Sequence, residues 1–217
     1  SIIDSGSGLD VAPHPHIGLS TVTYLFDGQI RHRDSLGSEM VIRPGDVNLM
    51  TAGRGIVHSE RSPEEERTHP LPLSGLQTWV ALPEAHEEDA PSFSHTGDKE
   101  LPRYAGDGID LNLVIGSFGG LKSPVPMLSE TIYADLHLAP NAGFPLDPDW
   151  EERALYVLDG SVEISGDVFG PEQLLIFRPG DAISLKAGPQ GTRVMIFGGD
   201  SMGSKRHIWW NFVSSSK

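Results

Sequence analysis

The sequence predicts an all-β chain of two similar β-barrels arranged in tandem. Short runs of β-branched and aromatic residues recur at a spacing of about ten residues with turn residues between them, as is typical of sandwiches and barrels. The 25 Gly and 17 Pro are spread along all 217 residues, which suits short strands joined by frequent turns. Two blocks of the first half also recur in the same order in the second half, which indicates an internal repeat.

Four segments of the first half carry the clearest strand patterns. Residues 21–26 are β-branched and aromatic, and an Asp-Gly turn signal ends them. Residues 40–42 run into a Pro-Gly-Asp turn, and residues 47–50 follow it. Residues 76–82 alternate between apolar and polar side chains for most of their length, which predicts a half-buried strand.

The repeat consists of two matched strand–turn blocks. Residues 24–28 (YLFDG) recur as residues 156–160 (YVLDG), an offset of 132. Residues 42–46 (IRPGD) recur as residues 177–181 (FRPGD), an offset of 135. These turns are generic on their own, but the apolar residues before them repeat as well, so the two halves are predicted to share one fold.

An acidic, proline-containing segment marks the predicted boundary between the barrels. We interpret residues 83–98 as a solvated acidic linker, with a single helical turn over residues 83–89 as the alternative. The chain therefore divides into an N-terminal barrel, residues 1–110, and a C-terminal barrel, residues 111–217.

Composition and charge exclude several classes of function. Thirty acidic residues against sixteen basic ones give a formal net charge of −14, which argues against direct binding to nucleic acid or to an anionic membrane surface. The chain has no cysteine, so a disulfide framework, a thiolate metal site and a cysteine nucleophile are excluded. No apolar run reaches the roughly 18 residues of a membrane span, and the first residues do not resemble a signal peptide. We expect a cytoplasmic protein.

The strongest chemical signal is the pair of motifs His14-x-His16 and His58-x-Glu60. Side chains two residues apart on a strand point to the same face, and neighbouring antiparallel strands bring facing side chains to about 5 Å. Two such pairs on adjacent strands can direct three imidazoles and one carboxylate to one point inside a barrel. This donor set suits a divalent transition metal, and we assign Fe(II) first, although affinity order alone favours nickel, copper or zinc.

Several motifs together resemble the pirin family of the cupin superfamily. They are HPHIG from His14, TVTYL from Thr21, PGDV from Pro44, MTAGRGIVHSE from Met50 and LQTWV from Leu76. The likeness covers nearly the whole chain, and the block from residue 50 to residue 60 is its most specific part.

The resemblance implies a chain of two cupin (jelly-roll-like) barrels with one iron site, in the N-terminal barrel. It places the metal ligands at His14, His16, His58 and Glu60, one ion per chain. Some members of the family are quercetin 2,3-dioxygenases, whereas others are nuclear transcription cofactors or partners of metabolic enzymes. Ile17 and Ser20 depart from the usual family pattern next to the site, which bears on substrate preference and metal tuning more than on metal binding.

The internal repeat predicts that the second barrel has lost the metal site. The offsets carry the four ligand positions onto Leu146, Pro148, Arg193 and Met195, none of which is an expected ligand. Residues 138–206 contain no histidine at all.

The sequence also predicts roles for other apolar residues and histidines, on weaker signals than the two motifs. Trp79, Met50 and Leu49 are candidates for an apolar wall, and His32 is expected on an exposed turn or strand. We expect surface or structural roles for the other histidines considered, which are His69, His86, His95 and His137. Metal affinity is expected to fall below about pH 6 to 6.5, where imidazoles take up protons.

These features support three functional hypotheses. The first is a dioxygenase that uses O2 to cleave a flavonol such as quercetin, with Glu60 as both ligand and proton acceptor. The second is a metal-binding regulatory protein that acts through a protein partner without turnover. The third is a barrel with a structural zinc ion.

Overall fold

The chain forms two compact units in the computed structural model, which describes residues 2–3, 8–68, 71–146, 148 and 150–217. The first unit comprises Ser1–Glu100 together with Met202–Lys217, and the second comprises Leu101–Ser201. The first unit therefore ends ten residues earlier than the predicted boundary at residue 110, and it also contains the last segment of the chain.

Almost all of the regular structure is β-strand. In the part of the chain that the structure describes, three 3-10 helices interrupt the strands, at Glu64–Thr68, Glu84–His86 and Asp98–Glu100. Within the described residues, no helix is both long and apolar enough to cross a membrane. The strands are β1 Ile2–Ile3, β2 Asp10–His16, β3 Leu19–Asp27, β4 Ile30–Asp34, β5 Glu39–Ile42, β6 Val47–Thr51, β7 Ile56–Arg61, β8 Leu71–Pro72, β9 Ser74–Ala81, β10 Ser92–Thr96, β11 Arg103–Gly106, β12 Ile109–Ile115, β13 Ser117–Phe118, β14 Leu121–Lys122, β15 Thr131–Leu138, β16 Gly143–Leu146, β17 Glu152–Ile164, β18 Asp167–Phe169, β19 Leu174–Phe177, β20 Ile183–Gly199, β21 His207–Trp209 and β22 Phe212–Ser214.

Two four-stranded antiparallel sheets build the first unit. One has the strand order β10-β6-β3-β9, and the other has the order β2-β7-β4-β5. The predicted strands at residues 21–26, 47–50 and 76–82 correspond to β3, β6 and β9, and no end differs by more than two residues. The second sheet brings β2 and β7, which carry the two ligand motifs, next to each other.

Part of the predicted acidic linker is a strand of the first unit. Residues 92–96 form β10, which pairs with β6 so that Phe93 lies opposite Met50. Glu87, also within the predicted linker, is buried and lies 3.1 Å from the Arg206 guanidinium. The acidic composition of this segment therefore does not indicate a solvated linker.

The last segment belongs to the first unit because its backbone pairs there. The Val213 N–H donates to the Ile17 carbonyl over 3.0 Å, and Ile17 forms an isolated bridge with Phe212. At the other end of the boundary, β11 pairs with β12, so residues 103–106 join the second unit.

An eight-stranded sheet forms the second unit. Its main order is β11-β12-β15-β20-β17-β18, while β16 pairs with β20 and β19 with β17. The two long strands, β17 and β20, pair along most of their length and are bent by bulges near Asp159 and Gly160. This unit encloses one large apolar core, built from Leu111, Leu113, Ile132, Ala134, Leu136, Leu138, Phe144, Leu146, Leu155, Val157, Val162, Ile164, Leu185, Ala187, Val194 and Ile196.

The repeated turns have the same geometry in both units. The Asp46 N–H donates to the Arg43 carbonyl over 3.0 Å, and the Asp181 N–H donates to the Arg178 carbonyl over 3.4 Å. The glycine before each aspartate has a positive φ, 85° and 77° respectively, a conformation that glycine adopts without steric cost. The two turns thus share a local conformation, although the first connects β5 to β6 and the second connects β19 to β20.

Candidate metal centre

Strands β2 and β7 bring three imidazoles together. The antiparallel register sets His14 opposite His58, and His16 follows on the same face of β2. The His58 Nε2 atom lies 3.0 Å from the His14 Nε2 atom and 3.1 Å from the His16 Nε2 atom. Three ring nitrogens therefore converge on one point, as the two motifs predict.

The spacing of these nitrogens fits a metal ion. For metal–nitrogen bonds of about 2.1 Å at right angles, neighbouring nitrogens lie about 3.0 Å apart. The Nδ1 atom of His14 lies 2.9 Å from the Ala12 carbonyl, and since a carbonyl only accepts, this nitrogen carries the proton. In its uncharged form the His14 ring therefore turns an Nε2 lone pair toward the other two imidazoles, and a cation can satisfy such a cluster.

Burial keeps two of the imidazoles neutral. It lowers the pKa of His16 to about 4, with a further contribution from the charge of His14, while the Asn211 backbone raises this pKa. Burial likewise lowers the pKa of His58 to about 3, assisted by His14, His16 and His32. Both rings are ligand-ready at neutral pH, and proton competition at them begins well below the pH 6 to 6.5 expected from free imidazole.

The Glu60 carboxylate lies beside this cluster and is held by Gln77. Glu60 is 8% exposed, and its two oxygens accept from the Gln77 side-chain amide at 2.8 and 3.0 Å. The same amide lies 3.1 Å from the Thr23 hydroxyl. These bonds fix the orientation of the Glu60 side chain next to the imidazoles.

The potential ligand atoms form two overlapping groups. Within each group, all ligand atoms lie within 4.8 Å of one another. One is His14, His16 and His58, and the other is His32, His58 and Glu60. His58 belongs to both groups. Glu60 is thus grouped with His58 and His32. It does not lie within 4.8 Å of the ligand atoms of all three predicted histidines.

The prediction that His32 is exposed is wrong. His32 is 3% exposed, pairs across the sheet with Glu60 and stacks on Phe93 at a ring-centroid distance of 4.4 Å. Its Nδ1 atom lies 3.4 Å from the His58 Nδ1 atom, and its Nε2 atom lies 3.0 Å from the Asp34 carboxylate. Arg31 and Arg33 flank it on the opposite face of β4, which gives the segment its exposed appearance in sequence.

Asp34 is a buried acceptor behind His32. Its side chain is inaccessible, and its Oδ1 atom accepts from the Leu36 and Ser38 N–H groups at 2.9 and 3.0 Å. Burial raises the pKa of this carboxyl, but the hydrogen bonds from His32, Ser38 and Leu36 outweigh it and hold the pKa below the ordinary value.

Aromatic residues line the barrel around the imidazoles. The Trp79 ring meets the His16 ring edge-on at 5.3 Å and is 41% exposed, so the cluster is accessible from the β9 side. Met50 shares this face, because it and Trp79 both pair with Thr21. Leu49 lies on the opposite face of β6, so its prediction as a wall residue is wrong.

The neighbouring position Ser20 does not face the cluster. It alternates with Thr21 on β3, and its hydroxyl lies 3.0 Å from the Thr51 hydroxyl. This departure from the family pattern therefore lies on the outer face of the sheet and does not line the site.

Sequence reasoning missed four residues of this site: His32, Asp34, Gln77 and Phe93. A same-face signal exists for three of them, since His32-x-Asp34 repeats the spacing of the predicted ligand motifs, and Gln77 lies two residues before Trp79. The position of Phe93 opposite Met50 depends on the pairing of β10 with β6, which the composition of residues 83–98 does not reveal.

His86, His95 and His137 lie outside the two groups of potential ligands. His86 pairs with Asp89 at 2.7 Å, and the Nδ1 atom of His95 lies 2.8 Å from the Asn48 amide oxygen. His137 lies 3.4 Å from Asp135 in the second unit. His69 is outside the described residues.

Sequence comparison with known families agrees with this architecture. The Pirin family model matches residues 2–80, and the model of the Pirin C-terminal cupin domain matches residues 133–217. The chain belongs to the pirin family. A pirin-like protein from Caulobacter vibrioides is 49% identical over 209 residues, which cover 96% of this chain and 72% of that relative.

Two solved structures extend the comparison of this pirin-family chain. The quercetin 2,3-dioxygenase from Acinetobacter baumannii aligns with a TM-score of 0.89 and 34% identity, over 99% of this chain and 70% of that one. The bacterial pirin YhhW from Escherichia coli, solved in complex with nickel(II), aligns with a TM-score of 0.69 and 25% identity, over 91% of this chain and 79% of that one. The predicted fold of two cupin barrels is confirmed.

The second unit of this pirin places apolar residues where the first places the predicted ligands. Strand β16 pairs with β20 so that Phe144 lies opposite Leu185, as His14 lies opposite His58. Leu146 then corresponds to His16, and Ala187 corresponds to Glu60. All four side chains are buried in the large apolar core.

The counterparts predicted from the repeat offset are therefore wrong in register. Arg193 and Met195 lie on the part of β20 that pairs with β15 and β17, and Arg193 forms a two-pronged ion pair with Asp135. Sequence offset fails here because the repeated Pro-Gly-Asp turn precedes β6 in the first unit but directly precedes β20, the counterpart of β7, in the second.

Proposed function

We propose that this chain is a metal-dependent dioxygenase that uses O2 to cleave a flavonol-like aromatic substrate. The observation that carries the proposal is the convergence of three imidazole nitrogens at 3.0 and 3.1 Å beside a buried carboxylate. The likeness to a solved quercetin 2,3-dioxygenase supports the reaction class and the substrate.

His14, His16, His58 and Glu60 are the proposed ligands. Three neutral nitrogens and one carboxylate oxygen suit Fe(II) and leave coordination positions for small molecules. The nickel(II) complex of a pirin relative supports a divalent metal, and identity then depends on geometry and supply. When bound, the ion supplies Lewis acidity that lowers the pKa of a coordinated hydroxyl.

Glu60 is the proposed proton acceptor for the substrate hydroxyl. Its carboxylate is buried, and the Gln77 amide orients it through two hydrogen bonds. A carboxylate in this position can receive the hydroxyl proton that a flavonol releases on binding. The Gln77 amide thus holds both carboxylate oxygens of Glu60 in a fixed orientation.

The lining of the barrel suits a planar aromatic substrate. Trp79 and Phe93 present ring faces and edges near His16 and His32, and Met50 adds a polarisable apolar contact. The exposed side chains of Gln77 and Trp79 mark the open side of the cluster, through which such a substrate can enter.

Oxygen uptake by the protein reloaded with Fe(II) tests this function. We expect quercetin or a related flavonol to stimulate uptake. Glu60→Gln should lower turnover more than it lowers metal occupancy, because an amide still offers an oxygen but accepts no proton at neutral pH. Glu39→Gln, which changes an exposed carboxylate on β5, is the matched control and should leave both unchanged.

The alternative of a regulatory protein predicts a different outcome. In that case no flavonol or catechol stimulates oxygen uptake with iron, manganese, nickel or copper, whereas metal loading changes affinity for a protein partner. That result would overturn the dioxygenase proposal.

A further inference from the structure

His32 and Asp34 form a series of hydrogen bonds behind the cluster of His14, His16 and His58. His32 lies between His58 and Asp34, with its two ring nitrogens 3.4 Å from the His58 Nδ1 atom and 3.0 Å from the Asp34 Oδ2 atom. Both the ring and the carboxylate are buried, with exposures of 3% and 0%. Stacking of the ring on Phe93 at an interplanar angle of 13° further restricts its rotation.

The direction of the hydrogen bonds follows from Asp34. Its Oδ1 atom already accepts from two backbone N–H groups, at Leu36 and Ser38, so the carboxylate is fixed as an acceptor. The Nε2 atom of His32 must then donate to Oδ2. In the neutral ring this leaves a lone pair on Nδ1, and that lone pair accepts the Nδ1 proton of His58.

The geometry points to His32 and Asp34 as positioning residues that hold the proton of His58 on Nδ1 and thereby present its Nε2 lone pair to a metal ion. This inference rests on the proposed metal site. It requires no contact between His32 or Asp34 and the ion, since both act through His58. Partners of this kind commonly change metal affinity about 10- to 100-fold when they are removed.

Asp34→Asn is the sharpest test, because it nearly preserves the side-chain volume. It also reverses which atoms donate and which accept in the hydrogen bonds that join Asp34, His32 and His58. The two backbone N–H groups retain the side-chain oxygen, so the amide nitrogen faces His32. The Nε2 atom of His32 then accepts, its Nδ1 atom donates to His58, and the proton of His58 moves to Nε2. His32→Phe instead removes both hydrogen bonds of the His32 ring while keeping an aromatic ring against Phe93.

Two measurements on the full chain make the test specific. Affinity for Co(II), measured by competition with a chelator, is expected to fall about 10- to 100-fold in Asp34→Asn and in His32→Phe. The tautomer of His58, measured by nitrogen-15 NMR of the metal-free protein, is expected to be Nδ1–H in the wild type and Nε2–H in Asp34→Asn. His95→Phe is the matched control: it removes a hydrogen-bonded histidine of the same unit that lies outside both ligand groups, and it should change neither quantity.

The outcomes separate this inference from the proposed site. Wild-type affinity in Asp34→Asn, or a loss of affinity without a change of tautomer, would overturn the positioning role. Should His32→Phe fail to fold, Asp34→Asn decides alone. A wild-type protein that binds no Co(II) would contradict the metal site, and the tautomer measurement would still decide whether Asp34 and His32 control His58.

Discussion

The Nε2 atoms of His14 and His58 lie 3.0 Å apart, although 44 positions separate the residues in the chain. The antiparallel pairing of β2 and β7 sets them directly opposite each other, and a bulge between Val11 and His14 shifts the register on one side. Such close contact between two ring nitrogens is unfavourable unless a proton or a cation lies between them. The fold thus places these two nitrogens where a shared proton or a metal cation fits between them.

Removing His58 should abolish tight metal binding, because this ring is common to both ligand groups. We expect His58→Ala to lower metal occupancy at least about tenfold, measured by elemental analysis after dialysis against a weak chelator. His86→Ala changes a histidine that is paired only at the surface and should retain the metal. Equal occupancy in His58→Ala and the wild type would show that the metal is held elsewhere.

Stability of the metal-free protein should fall as the pH drops from about 6.5 to about 4. The unfolded chain takes up protons on His16 and His58 near pH 6.5, whereas the folded protein does so only near their pKa values of about 4 and 3. In this window the unfolded state binds more protons, so the free energy of unfolding decreases with acidification, on the order of a few kcal/mol in total. Urea unfolding at pH 7, 5.5 and 4.5 measures this change in the free energy of unfolding.

The variant His58→Gln serves as the control for this pH dependence. It removes one of the two groups, so its stability should depend less on pH across the same range. A wild-type protein equally stable at pH 7 and pH 4.5, or a variant with the same slope, would contradict the lowered pKa values.

Leu185→Ala should destabilise the second unit without affecting the metal. Leu185 is fully buried and packs in the apolar core opposite Phe144. We expect a loss of about 2–5 kcal/mol in the free energy of unfolding, and unchanged metal occupancy. Ile176→Ala, at a residue that is 78% exposed, should change stability by less than about 0.5 kcal/mol. Loss of metal in Leu185→Ala would argue that the second unit supports the site.

Local patterns predicted much of the fold and the core of the site. Residues 21–26 and 76–82 show strand periodicity, and the same-face spacing in His14-x-His16 selects the ligand strand β2. These signals lie within one strand, so they can be recognised without knowing which strands pair. Cytoplasmic localisation stays a prediction from the sequence.

The rest of the site depends on pairing between distant strands. His32 is flanked by two arginines, so its segment looks exposed, and only the pairing of β4 with β7 turns it toward Glu60. Residues 92–96 look like linker because their composition is polar, yet they pair with β6. The segment from residue 202 onward joins the first unit through backbone hydrogen bonds and the Arg206–Glu87 ion pair, and both connect residues that are far apart in the sequence.

The position of the metal tests the account most directly. A crystal of the protein soaked in Fe(II) or Ni(II), measured at the metal absorption edge, should give one anomalous peak per chain. The account predicts that this peak lies within bonding distance of the Nε2 atoms of His14, His16 and His58, with a Glu60 oxygen as the fourth protein ligand. A peak at His32 and Glu60 without His14 and His16, or a peak in the second unit, would contradict it.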